Sequence, residues 1–166
     1  MKKVMVIGCP GSGKSTFSKK LQKATGLPLF HLDMIYWNAD RTVVESTIFT
    51  EKLQDIMSQA LWIIDGNYHS TLEVRLQACD TVFFLDYPVE VCLEGVQSRK
   101  GKARTDLPWI EPIDEEDEGF ITFINNYKDV NRPLVMDLLN TYTDKNIIIF
   151  KNRHEANQYI EAIQYP

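Results

Sequence analysis

The sequence predicts an α/β protein on a parallel sheet, and three observations carry that expectation. Short runs of apolar, β-prone residues alternate strictly with stretches whose apolar residues recur at helical spacing, the order of strand–helix–strand units with right-handed crossovers. The runs are continuously apolar, as strands covered on both faces are. A glycine-rich turn follows the first run, and in such sheets ligands sit at the carboxyl ends of the strands.

The first strand is read at residues 4–7. The next eight residues, Gly8-Cys9-Pro10-Gly11-Ser12-Gly13-Lys14-Ser15, match G-x-x-x-x-G-K-[ST] at every fixed position, in the strand–loop–helix frame the pattern needs. Glycines let main-chain N–H groups turn inward and approach phosphate oxygens. The helix that begins here adds its unpaired N-terminal donors and positive dipole end. Lys14 supplies a mobile charge for the β- and γ-phosphates, Ser15 a hydroxyl for Mg²⁺, and Thr16 a donor near the α-phosphate. Gly8, Pro10, Gly11, Ser12, Gly13, Lys14, Ser15 and Thr16 are therefore the candidate loop for ATP, or another nucleoside triphosphate, with Mg²⁺. Phe17, Leu21 and Ala24 share the apolar face of the helix.

A second strand at 29–32 runs into Asp33, which either orients and deprotonates an acceptor hydroxyl or caps a helix. His31 alternates with it and reads as a structural histidine. Tyr36 and Trp37 are either core residues or an apolar wall for a ring or base. Phe49, Leu53, Ile56 and Ala60 mark the next helix. The third strand, 61–64, closes on Asp65-Gly66. Asp65 is read as a carboxylate holding Mg²⁺ through water beside the phosphate loop, against the start of an Asp-Gly turn. Asn67 follows on the acceptor side. Arg75, between Leu72 and Leu76, either reaches an anionic group of the acceptor or makes a surface ion pair. The fourth strand, 82–85, ends in Asp86-Tyr87-Pro88, a turn or helix start, and Val89, Cys92, Leu93 and Val96 share the face of the helix after it.

Residues 99–133 carry no strand signal, only a basic piece, "SRKGKART", and an acidic one, "EPIDEEDEG". They read as a lid insertion over the strand ends, followed by one or two helices. Arg99 and Arg104 would bring cations to the transferring phosphoryl, with Gly101 as a hinge and Arg132 as a further member of the cluster. A solvated basic face is the competing reading. Residues 114–118 suit a solvated helix start. A helix with Phe120, Phe123, Ile124 and Tyr127, a strand at 147–150, and a helix with Ala156, Tyr159, Ile160 and Ile163 complete the order.

The chain of 166 residues is expected to form one domain, 1–166, with the lid at about 99–133. Its net charge of -5 argues against broad, charge-driven nucleic-acid binding. Cys9, Cys79 and Cys92 fit neither a zinc site nor a CxxC pair and read as free thiols in a reducing cytoplasm. No apolar run reaches membrane-span length, and the glycine turn interrupts any signal-peptide pattern. The expectation is a cytoplasmic protein that binds a nucleoside triphosphate and a small molecule, with no membrane and no direct nucleic-acid partner.

The pieces "IGCPGSGKST", "LPLFHLD", "WIIDGNY", "RLQACDTVFFLDYP" and "RTD", in this order over nearly the whole chain, resemble the FlaR-type family. These small P-loop proteins, labelled DNA topology modulation proteins, are similar to adenylate kinase and shikimate kinase. The resemblance implies a nucleoside-kinase-like, three-layer sandwich: a five-stranded parallel sheet of order 2-3-1-4-5 with a helical lid. It sets the strand ending in Asp65 beside the phosphate loop and Asp33 further out. It implies that Asp33 is the acidic end of strand two, and that Arg99 and Arg104 are lid arginines. The expected activity is Mg²⁺-dependent transfer of the γ-phosphoryl of ATP to a small acceptor (nucleotide, nucleoside or metabolite) near Asp33, Tyr36, Asn67 and Arg75. The alternative is a nucleotide-dependent regulatory NTPase linked indirectly to DNA topology; the chain shows no helix-turn-helix or basic recognition helix.

Overall fold

A computed structural model describes residues 1–164. Five strands, β1 Lys3–Gly8, β2 Leu29–His31, β3 Trp62–Asp65, β4 Thr81–Leu85 and β5 Asn146–Phe150, form one sheet in the order β2-β3-β1-β4-β5. All pairings are parallel, so the sheet is the one the resemblance implied.

Helices α1 Lys14–Thr25, α2 Leu32–Tyr36, α3 Ser46–Ser58, α4 Leu72–Ala78, α5 Val89–Arg99, α6 Glu118–Thr141 and α7 Arg153–Gln164 cover both faces. The strands explain their own composition. In β1, Val4 and Val6 join a core with Phe17 and Leu21 of α1, Cys92 and Val96 of α5, and Ile160 of α7. Met5 and Ile7, pointing the other way, join Phe49 and Leu53 of α3 and Leu72 and Leu76 of α4. Each such side chain contributes about 1.5–3 kcal/mol when buried, so the middle of every strand is apolar and the polar residues stand at the strand ends.

Two stretches differ from the sequence expectation. The second strand stops at His31, and Leu32 already begins α2. Asp33 therefore stands in the first turn of a short helix, where a carboxylate meets the positive end of the dipole, and not at a strand end. The segment 99–133 divides into irregular backbone at 100–117 and the first part of one long helix, α6, which contains Arg132 and Pro133. Asp117 caps that helix by accepting from the Phe120 N–H at 2.9 Å. Helix α6 serves both layers: Ile124 and Tyr127 lie in one core, Val135 and Leu139 in the other.

The register brings chemistry to one end. Val6 of β1 lies opposite Asp65 of β3, and His31 of β2 also lies opposite Asp65. Gly8, where the phosphate loop begins, lies opposite Leu85.

Candidate phosphate-loop site

The loop between β1 and α1 is shaped by backbone that side chains resist. Gly13, the residue before α1, has φ +94°, a left-handed conformation open to glycine. Gly11 is pressed against α5: a Cβ on it would lie 1.9 Å from the Cys92 carbonyl oxygen, and a Cβ on Gly95 would lie 2.0 Å from the Gly11 carbonyl oxygen. Two facing glycines thus seat the loop on the helix. Lys14 Nζ donates to the carbonyls of Gly8 at 2.8 Å and Cys9 at 3.1 Å, which draws its ammonium back across the loop. Burial pushes the Lys14 pKa down, while the carboxylates of Asp65 and Asp33 oppose that shift.

Asp65 is 4% exposed. Its Oδ1 lies 2.9 Å from His31 Nδ1; an ionised carboxylate only accepts, so that nitrogen carries the proton. Its Oδ2 is buried and has no hydrogen-bond partner among the described residues. A carboxylate oxygen in that position is satisfied by a hard cation with oxygen ligands, and Ser15 carries the matching hydroxyl on the loop. The donor set therefore fits Mg²⁺.

Asp33 accepts from the Tyr68 hydroxyl at 2.6 Å. Burial pushes its carboxyl pKa up, with the Tyr68 hydrogen bond and the Lys14 charge pulling the other way. Tyr68 in turn belongs to a cluster of aromatic rings. Tyr36 lies 4.5 Å from Tyr68, 5.3 Å from Phe49 and 5.1 Å from Trp37, centroid to centroid. Trp37 meets Trp109 of the 100–117 segment edge-on at 5.1 Å, and the Arg41–Glu115 ion pair, at 3.0 Å, ties the same two pieces of chain.

Arg99, at the end of α5, and Arg104 converge on carboxylates of the 100–117 segment. Arg99 Nε lies 2.7 Å from Glu111 Oε2, and Arg104 Nη1 lies 2.7 Å from the same oxygen. Arg104 also pairs with Asp106, which Lys19 of α1 reaches at 3.3 Å. Burial alone would raise the Asp106 carboxyl, but Arg104, the Ser15 hydroxyl and Lys19 outweigh it and hold it well below the usual carboxylate range. Asp106 thereby joins the 100–117 segment to Ser15 and Lys19 of α1. Arg104 is also close enough to Asp33, and Arg99 to Lys14, to act on their charges.

Two expectations, for Arg75 and Arg132, need correction. Arg75 does not reach toward an acceptor. It is 0% exposed, and its guanidinium donates to the carbonyls of Gly66 at 2.9 Å, Asn67 at 2.6 Å and Thr71 at 3.2 Å. An arginine there satisfies the carbonyls of a tight turn that would otherwise be buried unpaired. Asn67 braces the phosphate loop: its Oδ1 accepts from the Gly8 N–H at 3.1 Å. Arg132 leaves the lid cluster for Asp86, at 2.7 Å. Conversely, sequence reading passed over Asp106, Glu111, Tyr68, Trp109 and Gly95 as site residues. The one signal for Gly95 was a glycine within a helical pattern.

Comparisons with known proteins bear on the fold. No family model matches the chain. The chain is 30% identical over 109 residues to an adenylate kinase of Thermotoga maritima, a match covering 61% of this chain and 49% of that protein, so it spans about half the length of that curated relative. A shikimate kinase from Acinetobacter baumannii, solved in complex with shikimate, superposes with a TM-score of 0.63 at 16% identity over 98% of this chain and 90% of that one. The shikimate kinase from Bacteroides thetaiotaomicron gives 0.62 at 18% identity over 97% and 95%. The fold is that of shikimate kinase, a P-loop kinase-like α/β sandwich. Among the described residues no helix is long and apolar enough to cross a membrane.

Proposed function

We propose that this protein is a Mg²⁺-dependent phosphotransferase that moves the γ-phosphoryl of ATP to a hydroxyl of a small acceptor. The observation that supports this most is the arrangement at the strand ends: Lys14 on the glycine loop acts electrostatically on two carboxylates, Asp65 and Asp33, on neighbouring elements. The likeness to adenylate kinase and to the shikimate kinase fold agrees with it, as does the FlaR-type resemblance to small kinases.

In this reading the amides of residues 8–16 and the start of α1 hold the triphosphate. Ser15 and Asp65 hold Mg²⁺, which when bound neutralises phosphate oxygens. Lys14 exchanges its two loop carbonyls for phosphate oxygens. Arg99 and Arg104 exchange Glu111 and Asp106 for the transferring phosphoryl, which makes residues 99–133 a lid on a single kinase-like unit, 1–166. Asp33 takes the proton of the acceptor hydroxyl as its oxygen bonds to phosphorus and the bond to the bridging oxygen of the leaving diphosphate breaks. The transition state is loose, so positioning and charge dominate. All three cysteines are buried free thiols, which suits a reducing cytoplasm.

Calorimetric titration with Mg·ATP tests the site. Lys14→Ala is expected to weaken binding roughly 10- to 100-fold, from the loss of charge-assisted hydrogen bonds. The same affinity in the variant and the parent would overturn the proposal.

A further inference from the structure

Resting on the phosphotransferase reading above, we infer that the acceptor is an uncharged nucleoside, and not a nucleoside monophosphate or a carboxylic acid. Two independent observations converge on this: the wall around Asp33 is aromatic, and the cations near it are already committed.

Tyr36, Trp37, Tyr68 and Trp109 are each half-buried, so ring faces remain for a planar partner, while Phe49 behind them is core. A base gains offset stacking or edge contact on such a wall. Tyr68 occupies Oδ1 of Asp33, and Oδ2 has no protein partner among the described residues. A carboxylate oxygen accepts only, so it selects a donor, which a sugar hydroxyl is.

The cations decide the charge of the acceptor. Arg75 is locked on main-chain carbonyls. Arg41 is on the exposed side, paired with Glu115. Arg99 and Arg104 share Glu111 and belong to the phosphoryl side. Lys14 serves the loop. With Arg99, Arg104 and Lys14 engaged on the transferring phosphoryl, the described residues near Asp33 leave a phosphate or carboxylate on the acceptor without an unengaged cation, and it would add negative charge beside Asp33 and Asp65, where like charges repel strongly.

The experiment uses the full chain and its own tryptophans. Trp62 is fully buried, so changes in emission on acceptor binding report Trp37 and Trp109. The protein with Mg²⁺ and a non-hydrolysable ATP analogue is titrated with the common ribo- and deoxyribonucleosides, their 5′-monophosphates and shikimate. ADP release with ATP is measured for each. At least one nucleoside is expected to shift the emission, to bind at least tenfold more tightly than its monophosphate, and to support ADP release. A monophosphate or shikimate that binds as tightly or more tightly overturns the inference, as does a panel in which no nucleoside binds. Binding of Mg·ATP alone is measured first: its absence sinks the phosphotransferase reading, whereas intact ATP binding with failed nucleosides sinks only the acceptor class.

Discussion

Asp106 is 3% exposed, yet it remains ionised because Arg104, Ser15 and Lys19 surround it. A carboxyl whose pKa is depressed on folding stabilises the native state above its unfolded value, near 4, and the contribution fades as pH falls through the folded value. Asp106→Asn is therefore expected to cost about 1–3 kcal/mol at pH 7, with the difference from the parent shrinking steadily below about pH 4. Urea unfolding at neutral and acid pH measures both; an equal difference at the two would refute the charge assignment. This residue was not legible in the sequence, because Lys19 lies 87 positions away. Arg75 misled for another reason. An arginine between two leucines reads alike whether its head meets a ligand or the carbonyls of a turn. By contrast, Lys14 and Ser15 were legible because a fixed spacing ties them to one loop shape.

At the scale of elements, the strands could be read because each is walled on both sides, and α1, α3, α5 and α7 because each shows one apolar face. The end of β2 could not, since Leu32 is as apolar in the strand as in the helix it begins. Nor could 100–117, whose order comes from ion pairs and the Trp37–Trp109 contact and not from periodicity. The contact of the phosphate loop with α5 makes an element-scale prediction. Glycine within a helix costs about 0.5–1 kcal/mol relative to alanine, so Gly95→Ala would stabilise an isolated α5. Here the new methyl would stand 2.0 Å from the Gly11 carbonyl oxygen. The variant is expected to lose about 1–3 kcal/mol of stability through overpacking and roughly tenfold in Mg·ATP affinity, since a displacement worth about 1.4 kcal/mol at the loop is a factor of ten. Thermal unfolding and titration check it; a stabilised variant with parental affinity would show that the loop does not depend on this seat.

Lys14, Asp33 and Asp65 stand together at one end of the sheet, with Arg99 and Arg104 near enough to act on their charges, so ligand binding there should register in global stability. A ligand at 100 times its dissociation constant adds about 2.7 kcal/mol to the folded state. For a chain of this size that is a rise in Tm of roughly 5–11 °C. Mg·ATP is expected to produce it, and EDTA to remove most of it while free ATP remains. Equal shifts with and without the chelator would take Ser15 and Asp65 out of the metal assignment. The indole pair Trp37–Trp109 and the ion pair Arg41–Glu115 join the stretch after α2 to the 100–117 segment. On the phosphotransferase reading proposed above, stretches fastened in this way would move as one jaw. Whichever substrate arrived first would then hold the jaw shut for the second, and thermodynamic reciprocity would oblige the second to tighten the grip on the first by the same factor.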